Sequence, residues 1–132
     1  KNLILKKMTI CVVEEEKTNI VEKFLTLGCR VYASNFSELN LENPISELPD
    51  LFFINAESSS YEKFELVKKI RDRSPTRVIV LSITSDDPAD RVRAFMSGAD
   101  TYLVRPYDDD AVLTVIKNLL FRVFQSKYSI KY

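Results

Sequence analysis

Short apolar runs separated by polar, turn-forming residues recur along the whole chain. The clearest run, residues 51–54, is wholly apolar, follows Pro49 and Asp50, and stops at the polar Asn55. A continuous apolar run of this length between turn residues is typical of a strand buried on both faces, as in the centre of a parallel sheet. By the same pattern we predict four further strands, at residues 8–13, 30–33, 77–83 and 101–104.

The segments between these runs carry apolar residues at helical spacing. Helices are predicted at residues 18–27, 61–73, 88–97 and 108–124. Residues 36–48 fit least well because Pro44 interrupts the spacing, and we expect a short or distorted helix there. Alternation of strand and helix five times over predicts one α/β domain, a doubly wound (βα)5 parallel sheet with helices on both faces.

Composition narrows the class of protein. The chain has 132 residues, enough for one domain, and 19 basic residues balance 19 acidic ones, which argues against nucleic-acid binding by the domain itself. No apolar run approaches membrane-spanning length and no signal peptide is visible. Cys11 and Cys29 lack disulfide-framework or zinc spacing, so we expect a cytoplasmic protein with reduced cysteines.

The pattern also predicts the limits of the domain. Residues 1–7 precede the first strand and are interpreted as an N-terminal extension. Residues 8–124 hold all the predicted elements, and residues 125–132 are interpreted as a C-terminal tail or the start of a linker.

Polar residues stand at the ends of four predicted strands. These are Glu14 and Glu15 after the first, Asn55 after the third, Ser82 near the end of the fourth and Arg105 after the fifth. In the common strand order 2-1-3-4-5, these carboxyl ends meet at the edge where such sheets bind ligands. Carboxylate and amide oxygens could hold a hard cation such as Mg²⁺, and a hydroxyl with a cation could contact an anion.

The chain resembles a response-regulator receiver domain, the CheY-like type of flavodoxin-like fold, from about residue 8 to residue 124. The matching pieces are VVEEE at the first strand end, PDLFFIN at the third, VIVLS at the fourth and the long stretch DRVRAFMSGADTYLVRPY at 90–107. The resemblance implies two-component or phosphorelay signal transduction. In this family an Asp at the third strand end is phosphorylated, with Mg²⁺ held by that Asp and an acidic pair.

Several family positions are filled by residues suited to the family's roles. By resemblance, Glu14 and Glu15 occupy the acidic pair, which is usually Asp. Ser82 occupies the hydroxyl position, and Tyr102 occupies the aromatic position that moves with it. Pro106 matches a proline that often follows a cis bond in this family.

Two positions depart from the family pattern. Asn55 stands where the phosphoacceptor Asp is expected, and Arg105 stands where the usual Lys is expected. An amide cannot replace a carboxylate in acyl-phosphate formation, because its nitrogen lone pair is delocalised and its oxygen carries no full charge. Arg105 could instead bridge Glu14 or Glu15 and stand in for the metal, so we expect no cofactor beyond weak Mg²⁺ at the two glutamates.

We therefore predict an atypical receiver, a pseudo-receiver that is not phosphorylated, is not an enzyme and acts through protein–protein contact or dimerisation. One alternative is a working Mg²⁺-dependent receiver that uses another acidic residue, although Glu57 should point away from the site. The other is a flavodoxin-like small-molecule binder. Against the latter, the loop after the first strand is Glu-rich and has no glycine.

The last two helices and the fifth strand form the usual partner face in this family, so we predict a protein partner or a second copy there. The predicted interface residues are Arg91, Asp100, Leu113, Leu120 and Phe124. An output domain could follow Tyr132. We expect no membrane contact and no direct nucleic-acid binding by this domain.

Overall fold

Five parallel strands form the sheet that the apolar runs predict. The structure is a computed structural model that describes residues 3–44, 47–56 and 61–128. The strands are β1 (Thr9–Glu14), β2 (Arg30–Ser34), β3 (Leu51–Asn55), β4 (Val78–Ile83) and β5 (Thr101–Val104). Their order is β2-β1-β3-β4-β5, and every neighbouring pair is parallel. The predicted fold class and strand order are confirmed.

Helices cover both faces of this sheet. They are α1 (Leu3–Lys6), α2 (Ile20–Leu25), α3 (Glu62–Arg73), α4 (Pro88–Ser97) and α5 (Asp109–Tyr128). The sequence signals explain α4 best: the Asp87 carboxylate accepts a hydrogen bond from the Ala89 amide at its start, and Gly98 ends it at φ 122°. No helix in the described part of the chain is long and apolar enough to cross a membrane.

Within the described residues 36–44 and 47–48, between β2 and β3, no α-helix forms, and the short or distorted helix expected there is seen only as a 3-10 turn at Glu47, whose amide donates to the Pro44 carbonyl oxygen at 2.8 Å. Two asparagines explain why. The side-chain oxygen of Asn35 accepts a hydrogen bond from the Glu38 amide at 2.8 Å, and that of Asn40 accepts one from the Glu42 amide at 2.9 Å. Such local side-chain bonds satisfy the backbone without a helix, and Pro44 removes a further donor.

The first and last described helices, α1 and α5, lie together near the amino-terminal edge of the sheet. Leu5 of α1 is buried in the same core as Leu120 of α5. The buried Asp50 carboxylate accepts hydrogen bonds from the Thr9 amide at 2.9 Å and from the Lys127 ammonium at 3.2 Å. α5 therefore continues a turn beyond the predicted residue 124.

The core has one layer on each side of the sheet. One layer lies under α3 and α4 and includes Phe52, Ile79 and Tyr102. The other lies under α1, α2 and α5 and includes Phe24, whose ring meets that of Phe53 edge-on at 4.9 Å. Both cysteines are buried and free. Burial raises the pKa of the Cys11 thiol to about 11, so it packs as a protonated, small apolar group at neutral pH.

Candidate functional site

Strand register brings three of the predicted site residues into one row. Glu14 of β1 is the partner of Asn55 on β3, and Asn55 is the partner of Ser82 on β4. All three are buried, and they lie at the carboxyl edge of the sheet. Because neighbouring parallel strands lie about 4.8 Å apart, side chains in one row on the same face can touch.

The Asn55 amide is the centre of this row. It is only 4% exposed, and its nitrogen donates a hydrogen bond to Glu14 Oε1 at 2.9 Å. Its oxygen accepts hydrogen bonds from the Ser82 hydroxyl at 3.2 Å and from the Arg105 guanidinium. An ionised Asp in this position could accept from Arg105 but could not donate to Glu14, because a carboxylate has acceptors only.

The Arg105 guanidinium joins the ends of β3 and β4. One nitrogen donates to Asn55, to the Ser82 carbonyl oxygen at 2.8 Å and to the Ser82 hydroxyl at 2.8 Å. The other donates to the Ala56 carbonyl oxygen at 2.5 Å. We expected a direct bridge from Arg105 to Glu14 or Glu15. Instead, the Asn55 amide lies between Glu14 and the guanidinium. The Arg105–Pro106 peptide bond is cis.

The side chains of the two predicted acidic residues, Glu14 and Glu15, lie in different surroundings. Glu14 is buried and accepts a second hydrogen bond, from the Thr18 hydroxyl at 2.9 Å. Glu15 is exposed, and its carboxylate accepts a hydrogen bond from the Phe36 amide at 3.1 Å, on the β2 side. No group of three or more carboxylate or thiol side chains that could hold a metal ion occurs within residues 3–44, 47–56 and 61–128. Glu57 lies outside those residues.

The hydroxyl of Tyr102 is hydrogen-bonded to the loop between β4 and α4. The side chain is buried, the Arg91 guanidinium lies over its ring at 5.1 Å, and its hydroxyl donates to the Ser85 carbonyl oxygen at 2.7 Å. Burial, and then the nearby Asp90 carboxylate, raises the pKa of the Tyr102 phenol. The ring is thereby held against the connection between β4 and α4.

Two residues of the site were not predicted. The Tyr107 hydroxyl lies 2.9 Å from the Ser82 hydroxyl, which makes it the third side chain on that group, after Asn55 and Arg105. Thr18 was predicted only as the first residue of a helical segment, yet its hydroxyl donates to Glu14. Both residues lie in loops at the edge where the strand ends meet. No spacing in the sequence distinguishes them from ordinary turn residues.

A cleft of about 340 Å³ opens onto this cluster. Asn55 and Arg105 line one part of it, and Thr18, Thr84 and Tyr107 line the rest. The Asn55 side chain therefore lies on the wall of a cleft.

The predicted interface residues separate into different environments. Leu120 is completely buried, so its assignment to a contact surface is wrong: Val112, Ile116 and Leu120 repeat every four residues and share the core face of α5. Leu113 and Phe124 are half-buried against the same core layer.

Two charged residues assigned to the interface are bound within the chain. The Asp100 carboxylate accepts hydrogen bonds from Arg71 at 2.5 Å and from the Ile79 amide at 2.8 Å. Arg91 forms an ion pair with Asp86 at 2.7 Å. Asp100 therefore anchors α3 and β4 to the start of β5, and its charge is already paired.

Known proteins resemble the chain over most of its length. The response regulator ArlR of Staphylococcus aureus is 28% identical over 120 residues, which cover 87% of this chain and 54% of ArlR. The transcriptional regulatory protein ResD of Bacillus subtilis is 30% identical over 79 residues, 60% of this chain and 32% of ResD. The chain thus spans about half or less of these curated relatives. No protein-family model matches it.

Among solved structures, a response regulator receiver domain protein (CheY-like) from Methanospirillum hungatei has the same fold. The TM-score is 0.77 at 19% sequence identity, and the match covers 90% of this chain and 98% of that protein. The match supports the strand order and layer arrangement described above.

Proposed function

We propose that this chain, a response-regulator receiver (CheY-like) domain, is a pseudo-receiver whose switch site keeps one arrangement without phosphorylation. Receivers are signalling rather than catalytic modules of two-component systems. In this proposal the domain signals by presenting a fixed surface to a protein partner.

The observation that carries the proposal is the position of the Asn55 amide between Glu14 and Arg105. Its nitrogen donates to the carboxylate at 2.9 Å and its oxygen accepts from the guanidinium. Both polar ends of the side chain are therefore used, and the Asn55 side chain itself has no carboxylate oxygen to attack a phosphodonor.

The neighbouring contacts favour a single arrangement. Arg105 also donates to the Ser82 hydroxyl and carbonyl oxygen and to the Ala56 carbonyl oxygen, so moving its guanidinium removes a charged donor from three acceptors. The two Ser82 oxygens keep a second partner, the Tyr107 hydroxyl and the Ala56 amide. The Ser82 hydroxyl is further bound to Asn55 and Tyr107. Since hydrogen bonds to a charged group contribute about 1.5–3 kcal/mol each, the cluster resists rearrangement.

The partner in this proposal is reached through protein contact. ResD is named a transcriptional regulatory protein, and both curated relatives are longer than this chain. We infer that the chain acts as the regulatory part of a longer protein or beside a separate output protein. Receivers typically dimerise through the face that α4, β5 and α5 form, and this face is the candidate contact surface.

Addition of Mg²⁺ and beryllium trifluoride is expected to leave the switch site unchanged. This phosphoryl mimic attaches to a carboxylate oxygen, which Asn55 does not offer. The measurement is an amide NMR spectrum of the labelled chain before and after addition, read at Ser82, Ala56 and Tyr102. The signal of Leu25, on α2 and away from the site, controls for non-specific salt effects. Large chemical-shift changes at Ser82 and Tyr102 without a change at Leu25 would contradict the proposal.

A further inference from the structure

The connection from β2 to β3 leaves a cleft beside α3. The other three connections between strands contain α2, α3 and α4, whereas the described residues of this one form no α-helix. Between them and α3 lies a cleft of about 480 Å³, here called the crossover cleft. It is larger than the cleft of about 340 Å³ beside Asn55 and shares no lining residue with it. Its volume is in the range of small-molecule sites.

Part of the lining of the crossover cleft is apolar. Leu41 is buried and Leu39 is half-buried, and both pack against the core layer under α3 and α4. A hydrogen bond from the Glu42 amide to the Asn40 side-chain oxygen, at 2.9 Å, holds the backbone that carries them. The two leucines therefore offer a preformed apolar surface that a bound side chain can cover.

Charged side chains of both signs line the crossover cleft without meeting each other. Lys69 and Arg73, one turn apart on α3, supply two cations, and Glu42 on the facing segment supplies a carboxylate. In the part of the chain that the structure describes, no ion pair joins Glu42 to either cation. Asp72, the fourth charged residue of the lining, is paired with Lys68 at 3.4 Å. Cations and a carboxylate therefore face each other across open space.

The Arg73 guanidinium is held in position at this cleft. One of its nitrogens donates to the Asn43 carbonyl oxygen at 2.6 Å, which joins α3 to the facing segment. A guanidinium has five N–H donors, so donors remain for a ligand. Lys69 lies four residues before Arg73 on the same face of the helix, and its ammonium can reach the same anion. A carboxylate bound there receives charge-assisted hydrogen bonds from two side chains.

We propose that the crossover cleft binds a free α-amino acid with an apolar side chain. The ligand carboxylate lies between Lys69 and Arg73, and its ammonium faces Glu42. Its side chain covers Leu39 and Leu41. A ligand of one sign alone leaves one wall unmatched and is repelled by it, whereas a zwitterion matches both walls.

This site goes beyond the proposed function, because it gives the domain a chemical input that does not involve Asn55. The test is an amide NMR titration of the labelled 132-residue chain with leucine, isoleucine, valine, methionine and phenylalanine, read at Leu41 and Lys69. At least one of these amino acids is expected to bind saturably. Its N-acetyl derivative lacks the ammonium and its amide derivative lacks the carboxylate. Each derivative is expected to bind at least about tenfold more weakly.

Two variants test the assigned contacts. Lys69→Met and Glu42→Gln each remove one charge from an exposed side chain, so the fold stays intact, which far-UV circular dichroism checks. Each is expected to weaken binding by at least about tenfold. Glu42→Gln has a further signature: it leaves the binding of the N-acetyl derivative unchanged, because that derivative has no ammonium to lose.

Arg122→Ala is the matched control, because it removes an exposed positive charge from α5, on the other face of the sheet. It is expected to bind the amino acid like the unaltered chain. The inference is overturned if none of the five amino acids binds saturably, or if the N-acetyl derivative binds as tightly as its parent. It is also overturned if Arg122→Ala weakens binding as much as Lys69→Met. None of these results changes the phosphorylation block at Asn55.

Discussion

Replacing Arg105 with alanine is expected to lower the free energy of unfolding by roughly 3 kcal/mol. The guanidinium donates to Asn55, to both oxygens of Ser82 and to the carbonyl oxygen of the buried Ala56, so its removal takes a charged donor from four acceptors. A buried acceptor that loses its partner costs about 1–3 kcal/mol. Urea denaturation followed by circular dichroism measures the loss.

Two further variants serve as comparisons for Arg105→Ala. Arg105→Lys keeps the positive charge but loses the fork of donors, so we expect an intermediate loss of stability. Arg122→Ala removes an exposed arginine from α5 and is expected to change stability by less than about 0.5 kcal/mol. If Arg105→Ala were as mild as Arg122→Ala, the guanidinium would not hold the switch site together.

Leu120→Ala is expected to cost about 3 kcal/mol of unfolding free energy, as is usual when a fully buried leucine is truncated. Leu120 has no exposed surface and packs in the core layer that contains Ile116 and Leu5. Single domains have only about 5–15 kcal/mol of stability in total, so this loss is a large fraction of it.

The same substitution separates the core assignment of Leu120 from the interface assignment that the sequence suggested. A core leucine lowers the stability of the single chain, which urea denaturation of a dilute sample measures. An interface leucine would leave that stability nearly unchanged and would weaken self-association instead. Leu25→Ala, at a half-exposed position, is the control and is expected to be nearly neutral.

The strands were predictable because strands buried on both faces must be apolar throughout, and few other elements share that pattern. Residues 51–54 and 78–81 show it most clearly, and both lie in the structure within central strands. The segment between β2 and β3 was not predictable in this way. There the spacing of leucines suggested a helix. Instead, the side-chain oxygens of Asn35 and Asn40 accept hydrogen bonds from nearby backbone amides and hold the backbone in a non-helical path.

The row formed by Glu14, Asn55 and Ser82 could be anticipated, because the strand order fixes which strand ends are neighbours. The direction in which each loop side chain points could not be anticipated. Glu14 and Glu15 are adjacent in sequence and chemically alike, yet one is buried beside Asn55 and the other is bound to the Phe36 amide. That choice depends on the path of the loop, which periodicity does not encode.

Helix α5 illustrates a second limit. Its apolar residues outnumber those that one helix face can bury, so the sequence alone did not show which face meets the core. The structure assigns Ile116 and Leu120 to the core, while the exposed apolar side chains Val92 and Met96 lie on α4. Packing against the sheet therefore decides which apolar side chains of a helix are buried and which stay exposed.

The central claim is that Asn55 blocks phosphorylation, and intact mass spectrometry tests it most directly. The chain is incubated with Mg²⁺ and acetyl phosphate, which is small enough to enter the cleft beside Asn55. The account predicts an unchanged mass. A gain of one phosphoryl group that is lost on mild base treatment, as acyl phosphates are, would contradict it and would show that another carboxylate accepts the group.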